Sequence, residues 1–338
     1  MLGERVLIAR QAEGMTQSRL SSISGISPSK ISKIETGMVD ASPSEISALA
    51  SSLSVPLAYF SDSPMYPIVE GRFRKQSRAP KSQVKALVSM TAMIAEVVQD
   101  ASAEYHLRPV TIVPFDGDVT EDAIAEQARI ARAALGVPSG GAVGNVVRAC
   151  ERGGIAVARV PVADDSGSLS AYSVWGNMGE LRPLIAFSSS LPGDVLRATV
   201  AHELGHLVLH TRRPLVEAKA GEAEAWGFSN HFLFPADDAR ELFESVPVTL
   251  HSLLRGKQRY GVSVSFLISC CRRYGIIDEA RERSLRKQYS ARGWYMNEPG
   301  EVIGETLTMV PAIISRLKDD GRDVCLQEFL ARKLMSAA

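Results

Sequence analysis

Apolar residues recur at three- and four-residue intervals along most of the chain, and only between about 155 and 187 does the pattern change to short β-like runs. Residues 3–60 read as short helices separated by Gly, Ser and Pro. Thr16 is placed to cap a helix whose inward positions are Leu20 and Ile23, and Gly25 supplies the freedom for a tight turn. Ser27 caps the next helix, Pro28 occupies its first turn where no amide hydrogen is needed, and Ile31 and Ile34 face inward. Ser29, Lys30, Ser32 and Lys33 are left pointing outward. Two short helices joined in this way form a helix-turn-helix, whose second helix can enter a major groove.

A break at Ser61–Pro67 follows. Residues 71–86 then carry Arg72, Arg74, Lys75, Arg78, Lys81 and Lys85 with no acid, ahead of a helical segment at 83–105. After a second break at 108–118, helices are expected at 121–135 and 143–152, and strands at 155–160, 170–175 and 183–187. Long helical patterns cover 193–211 and 219–233. A small sheet mixed with helices gives residues 119–245 an α+β signature. The remainder, 246–338, is helical in pattern with a loop around Gly293–Gly300. The expected fold is therefore multidomain: an all-α helix-turn-helix domain at 1–62, a basic linker and helix at 63–118, an α+β domain at 119–245, and a helical region at 246–338.

Composition narrows the function classes. The 338 residues are 45% hydrophobic and 22% charged, and 38 basic side chains balance 38 acidic ones. No global field attracts a nucleic acid, so any basic surface is local, and residues 1–60 themselves carry five charges of each sign. The run at 71–86 is where phosphate contacts would gain strength, unless it is a solvated linker. No apolar run reaches ~18 residues and the N-terminus lacks a signal-peptide pattern, so a cytoplasmic protein without a membrane partner is expected. Cys150, Cys270, Cys271 and Cys325 show no metal-like spacing and are expected to be reduced thiols used in packing.

The candidate chemistry lies in Ala201-His202-Glu203-Leu204-Gly205-His206-Leu207-Val208-Leu209-His210. On a helix, His202 and His206 stand one turn apart on one face, and Glu203 projects about 100° away. This is the HExxH pattern, in which two imidazoles hold a zinc ion and the carboxylate serves a water on it. The ion lowers the pKa of that water, and the carboxylate takes its proton and delivers it to a leaving amine. His210 fails as a third ligand, since eight residues put it ~12 Å along the axis from His202; a supporting or packing role is expected. On the following helix, Glu224 shares a stripe with Phe228 and Phe232, and a carboxylate turned inward is relieved by a metal. Glu224 is therefore the expected third ligand, with Glu222 the weaker choice and Glu217 still open. Tyr172 and His231 are the candidates for stabilising an oxyanion.

Two families are resembled. The run T-Q-x-x-L-x-x-x-x-G-I-S-x-x-x-I-S-x-I-E-x-G over Thr16–Gly37 resembles the XRE family of lambda-repressor-like helix-turn-helix domains, and the likeness extends through Pro43–Leu53 and Pro56–Phe60. It implies that Gln17 meets a phosphate and that Ser27, Ser29, Ser32 and Lys33 face base edges or backbone, with Lys30 and Thr36 completing the expected DNA-contacting set. HELGHLVLH at 202–210 and E-A-E-A-x-x-F-x-x-x-F-L-x-P at 222–235 resemble the ImmA/IrrE metallopeptidases, as do Ala171–Trp175 and Arg182–Ile185. That resemblance covers about 119–245 and implies a zincin-like, gluzincin-type site and regulated cleavage of a transcriptional repressor. Trp226 and Ser229 depart from it, standing where the family has Asn and Ala.

The resulting expectation is a DNA-binding transcriptional regulator with zinc endopeptidase activity. Double-stranded operator DNA and a repressor or antitoxin-like protein are its expected partners, and a homodimer is possible. Two alternatives stand beside it: a repressor whose zinc is structural or sensory, and an antitoxin whose C-terminal helices bind a toxin.

Overall fold

The computed structural model of the protein describes residues 2–61, 64, 66, 80–160, 171–188, 191–213 and 217–320. Among these residues are fourteen α-helices and one three-stranded sheet. They are α1 (Leu2–Ala12), α2 (Gln17–Ser24), α3 (Pro28–Glu35), α4 (Pro43–Leu53), α5 (Lys81–Glu104), α6 (Glu121–Ala134), α7 (Val146–Arg152), β1 (Ala156–Val160), β2 (Ala171–Val174), β3 (Leu184–Ser188), α8 (Gly193–His210), α9 (Ala218–Leu233), α10 (Ala236–Phe243), α11 (Leu250–Tyr260), α12 (Val264–Arg273), α13 (Glu279–Ala291) and α14 (Met309–Asp319). An N-terminal helix-turn-helix domain, a mixed α/β region and a helical C-terminal stretch are thus all present. No described helix is long and apolar enough to cross a membrane. Cys325 and residues 71–79 of the basic run lie outside the described residues; Lys81 and Lys85 are exposed on the first turns of α5.

The chain forms two compact units: one of Met1–Arg108, Ile155–Ser190 and Leu307–Ala338, the other of Pro109–Gly154 and Leu191–Thr306. These units divide the chain elsewhere than at residues 62, 118 and 245, because the strands pack with α5 and α14.

In the first unit, local signals set the helix ends. The Thr16 hydroxyl accepts from the Arg19 amide, Ser27 accepts from the Lys30 amide, and Gly25 ends α2 at φ 73°. Ser42 and Glu45 form a reciprocal capping box at the start of α4. Leu20, Ile31 and Ile34 are buried, but Ile23 is 45% exposed and does not join that core. Helix α2 has only eight residues, so its buried stripe is narrow and Ile23 falls outside it.

Helix α5 is the centre of this unit. Every residue from 86 to 98 is buried, because α1, the sheet and α14 surround it. A helix covered on all sides needs no polar stripe. Its polar members are paired: Glu96 with Arg5 in a buried ion pair, Ser89 with Gln11 at 3.1 Å, and Thr91 with the Leu87 carbonyl at 2.7 Å. Strand order is β1-β3-β2, with β1 parallel and β2 antiparallel to β3.

In the second unit α9 packs on both α6 and α8. Arg132 of α6, 1% exposed, ties the end of α9 down by donating to the Phe232 carbonyl at 2.5 Å and to the Pro138 and Gly141 carbonyls at 2.6 and 2.8 Å. Two buried ion pairs anchor α8: Arg197 with Glu305, and Lys257 with Asp194 at 2.8 Å. Glu305 also accepts the Val146 and Val147 amides at the start of α7, at 3.0 and 2.7 Å. Cys150, Cys270 and Cys271 are buried free thiols, and burial pushes the Cys271 thiol up to about 12.

Candidate metal centre and DNA-reading helix

Helix α8 is buried along almost its whole length, and its three histidines lie in its second half. His202 and His206 present their Nε2 atoms 3.1 Å apart. Their nearest carboxylate is Glu222: its Oε2 lies 3.3 Å from His202 Nε2, and its Oε1 lies 3.5 Å from His206 Nε2. Donors at about 2.0–2.1 Å on a tetrahedral ion stand roughly 3.3 Å from one another. The three groups therefore fit a zinc-sized ion, and they are the group among the described residues whose spacing suits one. The two imidazoles also hold the Glu222 carboxyl well below the usual carboxylate range, so it is ionised and ready to ligate.

Glu224, the expected third ligand, does not join them. Its Oε2 instead accepts from His210 Nε2 and from Arg213 Nη1, each at 2.8 Å. The stripe through Glu224 and Phe228 does point inward and also meets α8, but Phe228 lies against Gly205 and Glu224 against His210, one turn beyond His206. The face toward His202 and His206 runs through Glu222, Ala225 and Ser229; Ser229 Oγ reaches the Ala198 carbonyl at 3.2 Å. Glu222 lies one turn from Ala225 on that face and so reaches the histidines.

His210 occupies the supporting position expected from its distance along the helix. Its Nδ1 is 2.8 Å from His206 Nδ1, and its Nε2 faces Glu224. With His206 Nε2 free to ligate, its Nδ1–H donates to His210, and His210 Nε2–H donates to Glu224. One tautomer satisfies the whole chain. Burial, with the neighbouring His206, pushes His210 down to about 4, which keeps it neutral as this tautomer requires. Such outer partners orient a ligating imidazole and raise its basicity. Glu203, 8% exposed, sits next to His202 on the same turn. His202 also packs against Trp226, with ring centroids 4.4 Å apart.

Gly205 stands where α8 meets α9. A Cβ there would lie 3.1 Å from the Ala225 carbonyl oxygen and 3.1 Å from Phe228 Cβ. The glycine lets α8 and α9 approach closely enough for Glu222 to reach the histidines. Gly205→Ala is expected to cost about 1–3 kcal/mol through overpacking and to weaken zinc binding by displacing α9. Denaturant unfolding and a zinc competition titration on the same variant check both effects.

Of the oxyanion candidates, Tyr172 is buried on β2 in the first unit. His231 lies on α9, with its ring 4.9 Å from that of Tyr274. Burial and the nearby Arg273 push it down to about 4, so it is neutral.

In the helix-turn-helix, Ser27, Ser29, Lys33 and Thr36 are exposed, while Lys30 and Ser32 are half-buried. The Lys30 ammonium is drawn to Glu45 of α4 at 2.5 Å, so Lys33 carries the free charge of the second helix among the described residues. The Thr36 hydroxyl bonds back to the Ser32 carbonyl at 3.0 Å. Gln17 donates to Glu35 at 2.8 Å, and Glu35 also accepts from Arg10 at 2.5 and 2.9 Å. The second hydrogen of the Gln17 amide remains for another acceptor.

Residues 7–60 match the sequence model of the helix-turn-helix family. Residues 150–269, which contain the histidine pair and Glu222, match that of a peptidase family described as the IrrE N-terminal-like domain. The chain joins a helix-turn-helix domain to an IrrE-like peptidase domain. The two matches leave 61–149 and 270–338 outside, although α6 packs directly on the α9 of the IrrE-like domain. No curated protein sequence is a significant match to the chain. A DNA-binding domain beside a peptidase domain suits a regulator. Peptidases of this kind are typically metal-dependent, and the grouping of His202, His206 and Glu222 accords with that.

Proposed function

We propose that the chain is a cytoplasmic transcriptional regulator whose IrrE-like domain is a zinc-dependent endopeptidase. Its substrate is a repressor or antitoxin-like protein, or the chain itself, and cleavage switches gene expression. The reading is carried by the convergence of His202, His206 and Glu222 at tetrahedral spacing with Glu203 on the same turn. The three residues would hold the ion through two imidazole nitrogens and a carboxylate oxygen. Zinc, when bound, supplies Lewis acidity to the scissile carbonyl and to a water. Glu203 takes a proton from the attacking water and passes it to the nitrogen of the breaking amide, so that water and one peptide bond become a carboxylate and an amine. The outer chain through His210, Glu224 and Arg213 keeps His206 in the ligating tautomer. At the other end, Lys33 and the hydroxyls of Ser27, Ser29, Ser32 and Thr36 contact operator DNA, with Gln17 at a phosphate.

The test is incubation of the purified, zinc-loaded chain with protein from its own cells, followed by labelling of new N-termini. A small set of new termini in DNA-binding proteins, abolished by a chelator and restored by zinc, is expected. No new termini under any condition would leave a regulator whose zinc is structural or sensory.

A further inference from the structure

Within the second unit a cavity of about 1030 Å³ opens between α8, α9 and α12. Its lining continues the face that carries the candidate metal ligands. Ala198 and Thr199 lie one turn before His202 on α8, and Val195 lies a further turn away. On α9, Trp226 is one turn after Glu222 and Asn230 two turns after it. Trp226 belongs to both places, since it lines the cavity and packs its ring on His202.

We propose that this cavity is the substrate cleft, and that it selects a polypeptide carrying a bulky apolar side chain beside the scissile bond. The proposal deepens the peptidase reading above and rests on it.

Three observations carry the chemistry. First, Trp226 and Val195 are large apolar residues left 43% and 38% exposed at the cavity, and an apolar side chain from a ligand would cover them. Second, the arginines around it are already answered by carboxylates: Arg273 by Glu121 at 2.6 Å, Arg240 by Asp237 at 2.8 Å, and Arg272 by Glu282 at 3.7 Å. No arginine is left over for an anionic side chain, and Asp122 adds a carboxylate to the lining. Third, Thr199 and Asn230 are 6% and 4% exposed, line the cavity, and make no side-chain hydrogen bond with any described residue. Buried polar groups are ordinarily bonded. An amide that both donates and accepts matches a peptide group, so these two residues suit a substrate backbone rather than a plain hydrocarbon.

The zinc-loaded full chain is titrated calorimetrically with acetohydroxamate, which carries the chelating head alone, and with the hydroxamates of N-acetylated glycine, phenylalanine, aspartate and lysine. The phenylalanine compound is expected to bind roughly ten- to a hundredfold more tightly than the glycine one, with the aspartate compound no tighter than glycine. Affinities are taken relative to acetohydroxamate on the same variant, which corrects for any change at the metal. In Trp226→Ala the phenylalanine advantage should largely disappear. Val195→Asp, at an exposed position two turns from His202, should remove it and favour the lysine compound instead. Asn230→Ala should weaken the acetylated compounds relative to acetohydroxamate. Equal binding of the glycine and phenylalanine compounds to the wild type overturns the proposal while the metal site stands, as does an advantage untouched by Trp226→Ala and Val195→Asp. Failure of acetohydroxamate itself to bind overturns the open zinc site, and the proposal with it.

Discussion

Glu222→Ala is expected to lose tightly held zinc, whereas Glu224→Gln should keep one ion per chain and bind it only about 10–100-fold more weakly. The difference follows from where the two carboxylates stand. Glu222 places one oxygen 3.3 Å from His202 Nε2 and the other 3.5 Å from His206 Nε2, so its removal leaves two imidazoles and no anionic donor. Glu224 touches His210 and Arg213 and reaches the site only through the His206 tautomer. His202→Ala should behave like Glu222→Ala, and His210→Ala like Glu224→Gln. Competition against a chromophoric chelator at neutral pH measures all four variants. An equal or larger loss in Glu224→Gln would give the ligand role to Glu224 and remove the site as drawn.

The second large effect is expected at Glu203. Glu203→Gln preserves size and polarity but removes the proton acceptor, and general-base catalysis typically contributes about 10²–10⁴-fold. Cleavage of the substrate found by N-terminal labelling should fall by that range, with zinc content unchanged. DNA binding should also be unchanged, because the helix-turn-helix belongs to the other compact unit. In cells, target genes should stay in their uninduced state in this variant under conditions that switch them in the wild type. Identical switching in both strains, with no cleavage product in either, would falsify the peptidase reading. A zinc-stabilised regulator would remain.

Local chemistry was legible wherever one helix or one turn decides the outcome. The positions of Thr16, Gly25, Ser27 and Pro28 dictate a helix-turn-helix, and the caps form where hydroxyl spacing puts them. The i, i+4 spacing of His202 and His206 fixes their common face for any α-helix, and the distance of His210 excludes it from direct ligation on the same geometry. The strands at 156–160, 171–174 and 184–188 also follow the runs read from the pattern.

What the sequence alone determined about this protein is therefore its modules and the histidine half of its candidate metal centre, since both follow from contacts a few residues apart. The tertiary structure decided the rest. Both Glu222 and Glu224 turn toward α8, and only the packing of α9 on it shows that Glu222 meets His202 and His206 while Glu224 meets His210. The closeness of that meeting depends on Gly205, whose use is visible only against Ala225 and Phe228 of another helix. Likewise, α5 reads as the helix after a basic linker, yet it is buried along 86–98 because partners as distant in sequence as Arg5, the strands and α14 enclose it. Periodicity records that a face is covered. It does not record which partner covers it, and here the partner decides which carboxylate faces the histidines.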